Sequence, residues 1–125
     1  MNLTKLSELL LEVSLLMGVP PVMDLPSVEV VTPAQMKEVC GLERALGCYS
    51  RPIIYLREEP KTTYLESILV HELVHHSQEL LGIGGTKWTC ERFVKREDQA
   101  HQIQQQWLEN KGISMWLPHR WKCND

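Results

Sequence analysis

Between Leu3 and Gly18 a largely apolar run is broken at helical spacing by Glu8 and Glu12, which predicts an amphipathic helix packed by one face. Gly18, Pro20 and Pro21 end it. Val28-Glu29-Val30-Val31 alternates and is β-branched, so it reads as a short strand. Thr32-Pro33 has the form of an N-cap with proline at the first helical position, opening a short helix to about Val39. From Cys40 to Arg51 there is no apolar period, and Gly41 and Gly47 mark the stretch as loop. Pro52 to Leu56 reads as a second strand, placed at a sheet edge by its leading proline. Thr63 and Glu66 form a capping-box pattern for a helix running to about Leu81 and stopped by Gly82. Gly82, Gly84 and Gly85 make a flexible connection to a second long helix, from about Cys90 to Asn110, closed by Gly112. The tail with Trp116, Pro118 and Trp121 reads as irregular. No repeat or linker interrupts the chain, so the pattern predicts one α+β domain over residues 1–125.

Composition narrows the function classes. The chain has 125 residues, 43% hydrophobic and 23% charged, ordinary for a globular domain. Its formal net charge is −3 and it has no run of Lys and Arg, so nucleic acid is set aside as a partner. No apolar run approaches the roughly 18 residues of a membrane span, so no membrane insertion is expected. The N-terminal run lacks the basic start and unbroken apolar stretch of a signal peptide. Of the four cysteines, Cys40, Cys48, Cys90 and Cys123, none form a C-x-x-C pair. An even number in a small domain fits disulfides, with Cys40 and Cys48 placed to close a short loop. Disulfides point to an oxidising compartment and the absent signal pattern points to the cytoplasm, so localisation stays open. The sequence gives no reading of oligomeric state.

Residues 71–75 read His-Glu-Leu-Val-His within the first long helix. Four residues turn a helix about 40° past one full turn, so His71 and His75 share a face and can bind one ion from adjacent turns. Glu72 lies about 100° round the helix, beside such an ion, where its carboxylate can take a proton from the ion's water. Ile68, Leu69, Val70, Leu73 and Val74 make the segment buried, where histidines without partners are costly. The bland alternative is two satisfied core histidines.

Catalytic zinc takes three protein ligands and leaves one position for water. A third histidine six residues after His75 is excluded, because Gln78 and Leu81 stand where that pattern needs Gly and His. In the second long helix the apolar stripe runs Phe93, Val94, Ala100, Ile103, Trp107 and Leu108, and Glu97 sits within it. A carboxylate there is expensive to bury without a cation. Zinc would be that cation; an Arg or Lys partner, or an opening to solvent, is the alternative. Asp98 falls on the polar side. His76 points off the metal face and His119 lies in the tail, so both read as structural, as does Trp107 in the helix stripe.

His71-Glu72-Leu73-Val74-His75, followed 22 positions later by Glu97, resembles the gluzincin group of zincin-like metallopeptidases, most of all its small bacterial and phage members. The resemblance covers roughly residues 53–108. It implies a minimal zincin-like fold: a small sheet, an active-site helix and a following glutamate-bearing helix. It also implies one Zn²⁺ per chain on His71, His75 and Glu97, hydrolysis of a peptide or protein substrate with Glu72 as general base and acid, and substrate extended along the strand Ile53 to Leu56. Two positions depart from the group's longer signature: Arg96 stands for an Asn, and His101 for an Asp that orients the first histidine. His101 can then act behind a ligand, replace Glu97, or do neither. No transition-state donor is evident in the sequence, and Tyr55 and Tyr64 are no more than candidates. The rival reading is a non-catalytic, zinc-stabilised binding or assembly module within a larger complex.

Overall fold

Asn2 caps α1 (Leu3–Met17), its side chain accepting the Lys5 backbone N–H at 2.8 Å. The helix buries Leu6, Leu9, Leu10 and Val13. On its flank Glu12 accepts the Trp107 indole N–H at 2.7 Å and a Lys111 ammonium at 3.3 Å, which pins the first helix to the last. The structure is a computed structural model and describes residues 2–41, 45–85, 87–115, 117 and 123. Trp116, Pro118, His119 and Trp121, assigned above to the tail, lie outside the described residues.

After α1 come β1 (Ser27–Val31), α2 (Pro33–Cys40), β2 (Gly47–Ser50), β3 (Ile53–Arg57), α3 (Thr62–Leu81) and α4 (Cys90–Asn110). The architecture is α+β: four helices and one three-stranded sheet in the order β1-β3-β2. β3 pairs in parallel with β1, Val28 opposite Ile54, and antiparallel with β2, Tyr49 opposite Ile54. Ile54 and Leu56 project from β3 into a core shared with α1, with Leu69, Val70, Leu73 and Val74 of α3, and with Ala100, Ile103, Trp107 and Leu108 of α4. α3 is therefore the central element, touching α4, α1, β2 and β3. No helix of the described residues is long and apolar enough to cross a membrane.

Three local expectations are corrected. The stretch from Cys40 to Arg51 is not all loop, because Gly47–Ser50 forms β2. Its residues carry no alternation of their own, and the strand exists through its ladder with β3 and the Cys40–Cys48 disulfide. A Cβ on Gly47 would stand 2.9 Å from Ile68 Cγ2, so glycine lets this strand lie close on α3. The strand after Pro52 is central, not an edge, because Pro52 sits in the turn ahead of the ladder and takes no donor from it. Thr63 is not an N-cap: α3 starts earlier, with Lys61 in extended conformation at the cap and no side-chain cap bond, while Glu66 pairs with Lys5 at 3.5 Å. The Thr32 cap holds, in a reciprocal box with Gln35. A second disulfide, Cys90–Cys123, ties the start of α4 to the tail.

His76, on the face of α3 turned from the metal-motif histidines, is 2% exposed. Its Nε2 lies 2.6 Å from the Asp24 carbonyl and its Nδ1 lies 3.0 Å from Tyr49 Oη. A carbonyl only accepts, so Nε2 carries the proton and Nδ1 accepts from the tyrosine. The ring therefore clasps the segment before β1 and strand β2 to α3. His76→Phe keeps the ring but strands both partners, and an expected loss of about 2–4 kcal/mol is read from the denaturant midpoint. An unchanged midpoint contradicts the clasp.

Candidate metal centre

His71 and His75 extend from adjacent turns of α3, ring centroids 5.0 Å apart, and Glu97 reaches them from α4. His71 Nε2 is 3.0 Å from Glu97 Oε2, His75 Nε2 is 3.0 Å from Glu97 Oε1, and the two ring nitrogens are 3.3 Å apart. Among the described residues these three form the one group of His, Cys, Asp and Glu able to hold a metal ion. Ligand bonds of about 2.0–2.1 Å in tetrahedral array put donor atoms about 3.3 Å apart, so the spacing suits zinc. The donor set fits as well: two imidazole nitrogens and a carboxylate converge on one point and need a positive charge between them. All three side chains keep 14–19% of their surface exposed, so the point is reachable from solvent.

The connection between α3 and α4 sets how Glu97 meets the histidines. Gly82 ends α3 in the left-handed region, and the loop that follows is held by Arg96, whose Nε and Nη2 donate to the carbonyls of Ile83 and Gly85 at 3.0 and 2.7 Å. Gly84 (φ 83°) leaves room for that guanidinium, since a Cβ there would lie 3.1 Å from Arg96 Nε. Arg96 also pairs with Glu79 of α3 at 3.7 Å. The residue standing for the expected asparagine thus fixes the hairpin that delivers Glu97.

Charge in the site is shared across the pair of helices. Burial opposes a charge on His75, but the hydrogen bond to Glu97 and the charges of Glu72 and Glu97 outweigh it and raise its pKa to about 8. Burial works on Glu97 in the opposite sense to its histidine hydrogen bonds, which win and hold its carboxyl well below the usual range. A ring that keeps its proton to about pH 8 must lose it to become a ligand, so metal uptake here releases acid and weakens as pH falls. Burial pushes the Glu72 carboxyl above its ordinary range, against the pull of His71 and His75.

Glu72, His71, His75 and Glu97 all open onto one cleft of about 650 Å³. Its walls are Leu46, Gly47 and Tyr49 on the β2 side, Tyr64 and Ile68 of α3, and Phe93 of α4. Tyr64 faces this cleft; Tyr55 is not among its lining residues. Asp98 is half-buried and outside the ligand group. His101 lines the cleft with Nε2 3.2 Å from the Leu117 carbonyl. The position behind His71 is taken by Gln104, whose Oε1 lies 3.0 Å from Nδ1, and that behind His75 by Gln78 at 2.8 Å. Sequence reasoning passed over both glutamines. The signal was there in part: each is a polar side chain at helical spacing from a ligand, within a stripe that is otherwise core.

Residues 4–122 match a family described as "Domain of unknown function (DUF6647)". No curated protein and no solved structure matches the chain.

Proposed function

We propose a function for this chain, which belongs to the DUF6647 family, from its site alone: zinc-dependent peptide hydrolysis on a minimal zincin-like fold. The observation that carries the reading is the open cleft at a three-ligand site. A structural zinc site is closed by a fourth protein ligand, whereas a catalytic one leaves a position to solvent. Here His71, His75 and Glu97 meet at the wall of a cleft with room for a peptide segment. The same openness counts against the rival reading of a zinc-stabilised assembly module.

His71, His75 and Glu97 would hold the ion. Zinc, when bound, supplies a Lewis acid for the scissile carbonyl and makes a water acidic enough to react near neutral pH. Glu72 accepts the proton of the attacking water and returns it to the leaving nitrogen. Its burial suits the task, because a carboxylate with raised proton affinity is a stronger base. β3 is paired on both sides, so it cannot take an extended substrate; β2 has no second strand partner among the described residues and lines the cleft. A peptide laid against β2 gains main-chain hydrogen bonds beside the site.

Purified protein should carry about one equivalent of zinc per chain and cleave members of a mixed peptide library, with cleavage lost on chelation and restored by zinc. Protein that takes up no zinc when it is offered ends this reading. Zinc-loaded protein that cleaves nothing moves the balance to the assembly module.

A further inference from the structure

Each candidate ligand histidine backs onto a buried glutamine, Gln78 at 1% and Gln104 at 7% exposure. What lies on the far side of each amide decides which way round it sits. Gln78 Nε2 donates to the Arg96 carbonyl at 3.0 Å and to Gln99 Oε1 at 2.9 Å. A backbone carbonyl only accepts, so the amide nitrogen must face it and the amide oxygen must face His75. Gln104 Nε2 lies 3.4 Å from Ser67 Oγ, whose own proton goes to the Tyr64 carbonyl at 2.8 Å. That hydroxyl has only lone pairs left to offer, so Gln104 too turns its oxygen to the histidine. In both cases an acceptor stands against Nδ1.

We infer that Gln78 and Gln104 are positioning residues that hold His75 and His71 in the tautomer with the proton on Nδ1 and the lone pair on Nε2. The inference rests on the metal-binding part of the proposed function and not on hydrolysis. It explains why both Nε2 atoms, 3.3 Å apart, are presented to the same point. It also sets the charge of the site. An amide orients the ring as a carboxylate does, but adds no negative charge, so Glu97 is the one ligand that offsets the ion. Two further buried carboxylates here would make the site more anionic and its water less acidic. Each lock is also anchored in the helix packing: Gln78 reaches from α3 to the α4 backbone, and Gln104 from α4 to Ser67 of α3.

The test uses the full chain, a zinc-competition titration and nitrogen-15 NMR of the imidazoles. Gln104→Met removes the acceptor with little change of volume, and zinc binding is expected to weaken about 10–100-fold, as for other groups behind a metal ligand. Gln104→Glu restores an acceptor and should bind zinc at least as tightly as wild type. Gln78→Met should weaken binding similarly; if it fails to fold, the pair at position 104 decides. In zinc-free wild type in alkaline solution both rings should carry their proton on Nδ1, and in Gln104→Met the His71 proton should shift towards Nε2. Wild-type affinity in Gln104→Met, or equal loss in the Met and Glu variants, overturns the inference while leaving zinc binding by the wild type standing. Wild type that binds no zinc at all removes the proposed function and this inference together.

Discussion

Glu72→Gln should keep its zinc and its fold and lose peptide hydrolysis by about 10²–10⁴-fold, the usual worth of a placed general base. The substitution is close to isosteric, and Glu72 is not in the ligand group formed by His71, His75 and Glu97. Its carboxyl is buried at 6% exposure, and burial already disfavours the charged form, so a neutral amide adds no desolvation penalty. Zinc content, helical signal and unfolding midpoint should match wild type. What the amide cannot do is accept a proton. Turnover is measured on whichever library peptide wild type cleaves fastest, with zinc in excess so that occupancy cannot limit the rate. Cleavage by Glu72→Gln at the wild-type rate takes Glu72 out of the chemistry.

Glu97→Gln should weaken zinc binding by more than the roughly 10–100-fold expected for a group behind a ligand. Glu97 is the one carboxylate in the group, and both its oxygens are engaged, each 3.0 Å from a histidine Nε2. An amide in its place offers one neutral oxygen and turns an N–H₂ towards one of the rings. Asp98→Asn changes the next residue, outside the ligand group, and should leave affinity within a few-fold. His101→Ala should also cost less than Glu97→Gln, since His101 Nε2 faces the Leu117 carbonyl. The three variants are titrated side by side against a competing chelator at fixed pH. If His101→Ala strips the metal and Glu97→Gln keeps it, the ligand set is wrong.

Most of what could be read from the residues was what a short window dictates, although the equally local Thr63–Glu66 cap failed. The motif in α3, the stop at Gly82 and the Thr32-Pro33 cap depend on neighbours within a turn or two, and each stands where it was expected. Glu97 was legible because a charge inside the stripe of α4 needs an explanation that helix periodicity exposes. β2 was not legible, since four residues with no alternation become a strand only through a partner ladder and a disulfide. The same cause put β3 at an edge: proline reports on its own missing donor, not on what pairs beyond the turn. Gln78 and Gln104 escaped because glutamine in a helix is ordinarily a solvated residue. Its role here depends on acceptor groups supplied by the facing helix.

All three candidate ligands fall between residues 71 and 97, on two helices joined by a short glycine loop. The chain entropy lost in bringing loop ends together grows only with the logarithm of their separation, and it is small for a span this local. Across small domains, folds built on contacts local in sequence also form faster than those built on distant pairings. The strand that walls the cleft is just as local: Gly47 of β2 lies against Ile68 of α3, and β2 pairs antiparallel with β3 across a tight turn. The ligand set and the strand beside it are thus drawn from one continuous stretch, Gly47 to Glu97, so assembling them does not depend on joining segments far apart in the chain.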